Sequence, residues 1–298
     1  MLDLSHIPNS QQDIKIFYAI SGSNSWQTWT KPRKCQWVWI MAIGGGGGGA
    51  GGSTPPKNAG TGGGSGAVTR ATFNASHLPD TLFIQVGAGG SGGGNNQGGN
   101  PGTESTISIL PSTTSTNSVL SSGTNAALGG SADGQAVTGE TAFTTTTSAF
   151  GTLSTFRSVA GLGQTVGNGF GSSIDITPLT SQITCPGASG AGMGTSPSII
   201  NARSILATTI SPLIQGGSGS NSPATNGGNG GNGYTSWNPF FSLGGAGGGN
   251  SVSGSGGRGG DGGIGSGGGA GGTRSSPTFG TPGRGGNGGD GLVVIVSF

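Results

Sequence analysis

The stretches GGNGGNG (227–233), GGRGGDGG (256–263) and GRGGNGGDG (283–291) determine how this chain can fold, because in each of them two glycines are followed by one side chain. Three residues per turn is the period of a left-handed extended helix of the polyproline II type. The bare glycine edges of such a helix can approach neighbouring strands closely and exchange backbone hydrogen bonds. The remaining side chains line up along one edge of each helix: Asn229 and Asn232, Arg258 and Asp261, and Arg284, Asn287 and Asp290. We expect Arg258 with Asp261, and Arg284 with Asp290, to pair between adjacent helices.

Collagen and a flexible linker are the two alternative readings of this composition. Collagen requires an unbroken Gly-X-Y repeat and much proline, whereas these blocks are short and the chain has 71 glycines but only 15 prolines in 298 residues. A Gly/Ser linker fits the composition better, because glycine loses much backbone entropy on ordering. Ordered glycine blocks therefore need dense lateral hydrogen bonding or assembly into a larger particle.

Charge and hydrophobicity are both low, at 7% and 30% of residues, and the net charge is +2. Lys31, Arg33 and Lys34 form the one small basic cluster, which we interpret as a solvated strand end, so nucleic-acid binding is not expected. No apolar run is long enough for a membrane helix, and the first residues do not resemble a signal peptide. Membrane insertion is therefore not expected either.

The candidate chemical groups are too dispersed to predict an enzyme or a cofactor site. His6 and His77 are the two histidines, and neither has cysteines or acidic residues at ligand spacing, so we expect no metal. Glycine-rich matches to nucleotide-binding fingerprints lack the strand and helix that the motif requires. Cys35 and Cys185 are typical of small buried hydrophobes, although a bond between them stays open. Four acidic residues lie in turn-like surroundings without an evident catalytic pair: Asp80, Asp133, Glu140 and Asp175.

Strand-like runs rich in β-branched and aromatic residues predict an all-β fold with little helix. In QWVWIMAI (36–43) and LVVIVSF (292–298) both alternating faces are apolar, which is typical of strands buried on two sides. We expect a jelly-roll-like β-sandwich closed by N- and C-terminal strands, from which polyglycine II excursions extend. The other predicted strands are 13–20, 67–74, 82–86 and 106–110, with further strand density at 141–156. Residues 197–214 are the one plausible helix, with a strand almost as well supported.

The composition divides the chain into four parts. Residues 1–111 supply sandwich strands and the first glycine excursions, and residues 112–215 form a Ser/Thr-rich β region. Residues 216–291 are the glycine-rich polyglycine II region, and residues 292–298 are the closing strand of the sandwich.

The order of aromatic strands and glycine blocks resembles the glycine-rich virion proteins of bacteriophages. An aromatic entry (29–32), a strand running into polyglycine (43–52), a second strand followed by VGAGG (86–90) and a glycine-rich run into the apolar last strand (285–296) match that pattern in order. The last third is also similar to the distal adhesins of T-even-like phages. That resemblance implies a bundle of polyglycine II helices whose intervening loops contact the host.

Two segments between the glycine blocks are the predicted contact regions, YTSWNPFFSL (234–243) and TRSSPTF (273–279). Exposed aromatics beside polar residues suit recognition of sugar rings or outer-membrane loops. The alternative is that Trp237, Phe240 and Phe241 fill the end of the bundle or the sandwich core. The candidate receptor contacts are Tyr234, Trp237, Phe240, Phe241, Arg274 and Phe279.

These expectations describe a non-enzymatic structural protein on the surface of a bacteriophage virion. The first hypothesis is a tail fibre or receptor-binding protein for host attachment, and a capsid, vertex or decoration protein is the alternative within the same class. An ice-binding polyglycine II protein is the alternative from another class, and a carbohydrate-active tail enzyme is a third. Expected partners are other virion proteins, copies of the same chain in a homo-oligomer, taken as a trimer, and a host surface glycan or outer-membrane protein.

Overall fold

The structure, a computed structural model, describes residues 13–20, 26–54, 59–132, 140–142, 152–158, 183–188, 190–191, 199–207, 211–220, 225–274 and 280–298. The fold is all-β, as predicted, with antiparallel sheets and two short 3-10 turns, Ala75–His77 and Ser115–Asn117. Its strands are β1 (Asp13–Tyr18), β2 (Gln27–Thr30), β3 (Trp37–Ile43), β4 (Val68–Asn74), β5 (Thr81–Gln85), β6 (Thr106–Ser108), β7 (Ser118–Ser121), β8 (Gly123–Asn125), β9 (Thr141–Ala142), β10 (Thr152–Ser158), β11 (Thr235–Trp237), β12 (Phe240–Ser242) and β13 (Leu292–Ser297).

The larger sheet has the strand order β1-β13-β3-β4-β10. The last strand of the chain, β13, therefore lies between the first strand and β3, with Leu292 opposite Ile43 and Val296 opposite Trp39. All six residues of β13 are buried, which explains why its sequence is apolar on both faces. The strands predicted at 13–20, 36–43, 67–74 and 292–298 are confirmed.

The smaller sheet has the order β2-β5-β6-β7 and packs face to face on the larger one. Apolar side chains from both sheets form one core, in which Ile40 and Phe73 meet Leu82, Ile84 and Ile107. This arrangement is sandwich-like, and it leaves the opposite face of the larger sheet to a second apolar cluster around Val294 and Val296.

The glycine block 44–52 continues directly from β3 and forms the axis of a bundle. Its nine backbone N–H groups donate in strict rotation to three antiparallel neighbours, 59–67, 97–103 and 281–291, over 2.7–3.1 Å. Its carbonyls accept from three further neighbours, 87–96, 127–131 and 265–273. Six neighbouring segments, each contacted once in every three residues, define hexagonally packed polyglycine II helices. At about 3.1 Å per residue, the block 44–52 is about 28 Å long.

Backbone contact on all six sides explains the absence of side chains in this block. A Cβ atom built on Gly45, Gly46 or Gly48 would lie 2.1–2.2 Å from a carbonyl oxygen of a neighbouring segment. Segments 243–250 and 265–273 are enclosed in the same way, and their described residues are buried. The glycine blocks thus pack side by side within one chain.

The GGX helices lie on the surface of the bundle, where their third residues are exposed except for Asp261, which is half-buried. The side-chain oxygens of Asn226, Asn229, Asn232 and Thr235 accept the backbone N–H groups of Ser255, Arg258, Asp261 and Ile264, each over 2.9 Å. The carboxylate of Asp261 accepts from the N–H of Asn287 in turn, over 2.7 Å. A polar third residue therefore supplies the acceptor that a surface N–H group lacks where the bundle has no further helix.

Two expectations about these regions need correction. Arg258 pairs with Asp261 on its own helix, not across helices, and no ion pair joins Arg284 to Asp290, both of which the structure describes. The Asp290 carboxylate instead accepts the backbone N–H of Gly89 over 2.8 Å. The described residues within 197–214 form no helix, because Ile205 and Ile214 pair as an isolated antiparallel bridge. Their β-branched side chains favour extended backbone.

Candidate recognition site

The bundle has two ends of different character. The sandwich lies at one end, where residues 44, 67, 87 and 291 connect the glycine helices to strands β3, β4, β5 and β13. At the other end, which we name the distal end, several chain turns converge. There Asn96 N–H donates to Gly52 over 2.9 Å, Arg274 N–H to Ser53 over 3.3 Å, and Ser251 N–H to Thr273 over 3.0 Å. The distal end therefore displays turns from distant parts of the sequence on one surface.

Arg274 closes one of these turns. Its guanidinium Nη1 donates to the carbonyl of Gly280 over 2.6 Å, so the two residues that flank 275–279 are tied together. Gly280 has φ +74°, and a Cβ there would lie 2.5 Å from the backbone of Gly254. Gly280 therefore packs directly against the 251–254 turn, and only glycine fits at position 280. Phe279, the other predicted contact in this segment, lies outside the described residues.

The aromatic segment 234–243 lies at the opposite end of the bundle, beside the sandwich. It forms the hairpin β11–β12, whose turn contains the cis Asn238–Pro239 bond. Asn226 marks the distal end of the helix that leads into this hairpin, nine residues before Thr235. At about 3.1 Å per residue the hairpin and the distal end are about 28 Å apart.

The four aromatic residues of the hairpin have different environments. Phe241 is 3% exposed and packs with Leu243, Ile205 and Cys185, so it fills the core as the alternative reading predicted. Tyr234 contacts the Phe241 ring edge to face, with 5.8 Å between centroids. Trp237 is 54% exposed and leans on the half-buried Phe240 ring at 5.5 Å.

The predicted receptor contacts do not form one surface. Arg274 is at the distal end, whereas Tyr234, Trp237 and Phe240 are at the sandwich end, and Phe241 is enclosed. Sequence reasoning placed them together because both segments interrupt glycine blocks. Successive glycine helices run in opposite directions, so the two segments lie at opposite ends of the bundle.

A buried carboxyl group, whose burial the sequence did not indicate, lies at the junction of sandwich and bundle. Glu140 is 2% exposed, accepting a hydrogen bond from Ser122 Oγ over 2.7 Å and from the Ala67 N–H over 2.8 Å. Burial raises the pKa of Glu140 to about 8, and the Glu104 carboxyl adds to the rise. The turn-like surroundings predicted for Glu140 are therefore wrong. Asp80 is exposed beside Lys31, and Asp133 and Asp175 lie outside the described residues.

Both cysteines are free thiols. Cys185 is fully buried, and burial raises its pKa to about 12, which fits the small-hydrophobe reading. Within the described parts of the chain, no group of three or more His, Cys, Asp or Glu side chains could hold a metal ion. The described residues also contain no helix of the length and hydropathy needed to cross a membrane.

These features define a class of all-β proteins in which an antiparallel sandwich carries a bundle of polyglycine II helices. The chain belongs to the glycine-rich domain family, whose model matches residues 21–297. The match includes the strands from β2 to β13 and the glycine helices between them. No curated protein matches the chain.

Proposed function

We propose that this chain is a structural protein of a bacteriophage virion, displayed on the particle surface, where its distal end attaches to a host surface glycan or outer-membrane protein. The proposal rests on the contrast between the bundle and its turns. Within the bundle almost every glycine abuts a neighbouring backbone, so an added side chain destabilises the packing there. The distal end carries side chains such as those of Asn96 and Arg274 on this rigid base, and loops held by a rigid scaffold are common binding surfaces.

Rigidity also favours binding directly. The Arg274–Gly280 hydrogen bond and the contact between Gly280 and Gly254 hold these described residues of the distal end in place. Residues that are already held in place lose less conformational entropy when they bind. A low-charge surface of Ser, Thr, Asn and Gly further suits a particle that meets varied salt, because such a surface has few exposed charges to screen.

The sandwich end suits attachment to the particle. The edge strand β1 presents an apolar row, with Ile14, Ile16 and Tyr18 between 44% and 55% exposed. An edge strand with an exposed apolar row is a ready site for association. We therefore assign this end to contacts with other virion proteins and with copies of the same chain.

The proposal includes no catalytic role. Glu140, with its raised pKa, is the carboxyl group that a glycosidase would use as a general acid. Glu140 is enclosed between Ser122 and the backbone of Ala67, where a polysaccharide cannot reach it.

The test is adsorption of the purified, fluorescently labelled chain to a panel of bacterial strains. One variant carries a short Gly/Ser insertion between Val252 and Ser253 at the distal end, and the matched control carries the same insertion between Asn238 and Pro239. Adsorption that is lost in the first variant and kept in the second supports the proposal. The reverse pattern would move recognition to the aromatic hairpin.

Antibody labelling of virions separates the two positions in the particle. Label at the tail supports host attachment, whereas label over the capsid shell supports the decoration alternative. Thermal hysteresis of the purified chain, or release of reducing ends from host polysaccharide, would contradict the whole proposal.

A further inference from the structure

A cavity of about 670 Å³ opens at the end of the sandwich that faces away from the bundle. It is lined by the loop between β2 and β3 and by the chain that follows β4, including Lys31, Arg33, Lys34, Trp37 and Asp80. Its volume lies in the range of about 300–1,000 Å³ that is usual for binding sites of organic ligands. Neither the glycine bundle nor the distal turns contribute to it.

The cavity carries a concentrated positive charge. Three cations and the Asp80 carboxylate leave a lining charge of +2, equal to the net charge of the whole chain. Lys31 is held in place, since its Nζ donates to the carbonyls of Ala75 and Leu78 and pairs with Asp80 at 3.1 Å. Arg33 and Lys34 are exposed and form no ion pair with any described residue. Two cations without an ion pair among the described residues therefore line the cavity.

The backbone at Lys34 adopts a conformation that residues with a side chain seldom adopt. Residues 32–35 form a turn, in which the Cys35 N–H donates to Pro32 over 3.3 Å and Lys34 has φ +68°. Glycine or asparagine normally occupies such a left-handed turn position, because a Cβ atom is strained there. A chain with 71 glycines nevertheless has lysine at this site. Residues strained in this way are held by the surrounding structure and cluster at functional sites.

We propose that this cavity binds an acidic peptide segment of a partner protein. Arg33 and Lys34 pair with its carboxylates, the exposed amide of Gln36 bonds to its backbone, and the partly exposed ring of Trp37 provides an apolar wall. An inorganic anion would fill a small part of the volume and would gain nothing from Trp37. Because the cavity faces away from the distal end, both ends can be occupied at once, whatever the distal end binds.

The test measures anisotropy of a fluorescein-labelled Asp/Glu-rich peptide titrated with the purified full-length chain. The control peptide has the same length, with Asn and Gln in place of the acidic residues. We expect saturable binding of the acidic peptide, weakened by added salt, and no binding of the control. Removing both charges in R33Q/K34Q is expected to weaken binding by about tenfold. Arg284→Gln, which removes the same charge from the bundle surface, is expected to leave the dissociation constant unchanged.

Lys34→Gly distinguishes a binding role from a structural one. It relieves the strained backbone, so we expect its melting temperature to equal or exceed that of the parent chain while peptide affinity falls. Lower thermal stability of this variant would overturn the strain argument. The proposal also fails if the neutral peptide binds equally, if Arg284→Gln weakens binding as much as R33Q/K34Q, or if inorganic phosphate competes at concentrations similar to the acidic peptide.

Discussion

Gly48→Ala is the sharpest test of the bundle, because it adds one methyl group at the centre of the axial helix. The new Cβ would lie 2.2 Å from the carbonyl oxygen and 2.4 Å from the carbonyl carbon of Ser91. Contact at about 3.4 Å or more is normal, so the neighbouring backbone has to move by about 1 Å. No side chain is available to move instead.

The cost follows from the hydrogen bonds that hold that neighbour. Segment 87–96 donates to the axial helix from Gly90, Gly93 and Asn96 over 2.8–2.9 Å. Weakening three such bonds costs about 3 kcal/mol at about 1 kcal/mol each. Lower entropy of the unfolded chain offsets this by about 0.4–1 kcal/mol. We therefore expect a loss of about 2–3 kcal/mol, which lowers the melting temperature of a chain of this length by about 3–5 °C.

The matched control is Gly94→Ala in the same bundle. Its Cβ meets first the side-chain Oε1 of Gln97 at 3.0 Å, and that side chain can rotate away. We expect an unchanged or slightly higher melting temperature. Unfolding is followed by fluorescence of the buried Trp29 and by amide hydrogen exchange at Gly90 and Gly93. Equal melting temperatures for the two variants would refute the packing argument.

Three further predictions concern single side chains. The pKa of Glu140 is raised from the unfolded value of about 4.3 to about 8, so its contribution to stability is full below about pH 4 and is lost as the pH rises through 8. Glu140→Gln should flatten the fall in the urea midpoint over that range, and an unchanged slope would show that another group is responsible. Asn232→Ala removes the acceptor of the Asp261 N–H and should cost about 0.5–1.5 kcal/mol. Hydrogen exchange at Asp261 should accelerate, whereas Arg284→Ala should leave it unchanged. Phe241→Ala should lower the free energy of unfolding by about 3–5 kcal/mol, because it leaves a cavity in a buried cluster. Trp237→Ala, at an exposed position, should change it by no more than about 0.5 kcal/mol. Equal losses of stability in thermal melts would contradict the assignment of Phe241 to the core and Trp237 to the surface.

The strands and the three-residue period were predictable, because both are local patterns. LVVIVSF (292–298) has apolar residues on both faces, and it proved to be an interior strand. β2 and β7 were not predicted, since QTWT (27–30) and SVLS (118–121) are short and half polar. Their strand state depends on pairing with β5 and β6.

The candidate site was less predictable, because it depends on how segments are ordered in space. Tyr234 and Arg274 both follow glycine blocks, yet they lie at opposite ends, since the helix before Tyr234 runs towards the sandwich and that before Arg274 runs away from it. The burial of Glu140 depends on Ser122 and Ala67, which are distant in sequence. The basic cluster was noticed, but a cavity is a property of the folded sheets.

The third residue of each glycine triplet reports how deep its helix lies in the bundle. The axial block 44–52 has six backbone neighbours, and the only side chain it carries is the Ala50 methyl. A surface helix lacks a neighbour on one side, so one residue per turn faces solvent and its N–H groups need another acceptor. Asn, Asp, Ser and Thr supply that acceptor to the adjacent helix, as Asn229 does for Arg258. Uninterrupted glycine therefore marks the interior of such a bundle and the polar GGX repeat marks its surface, the reverse of the usual association of glycine with exposed loops.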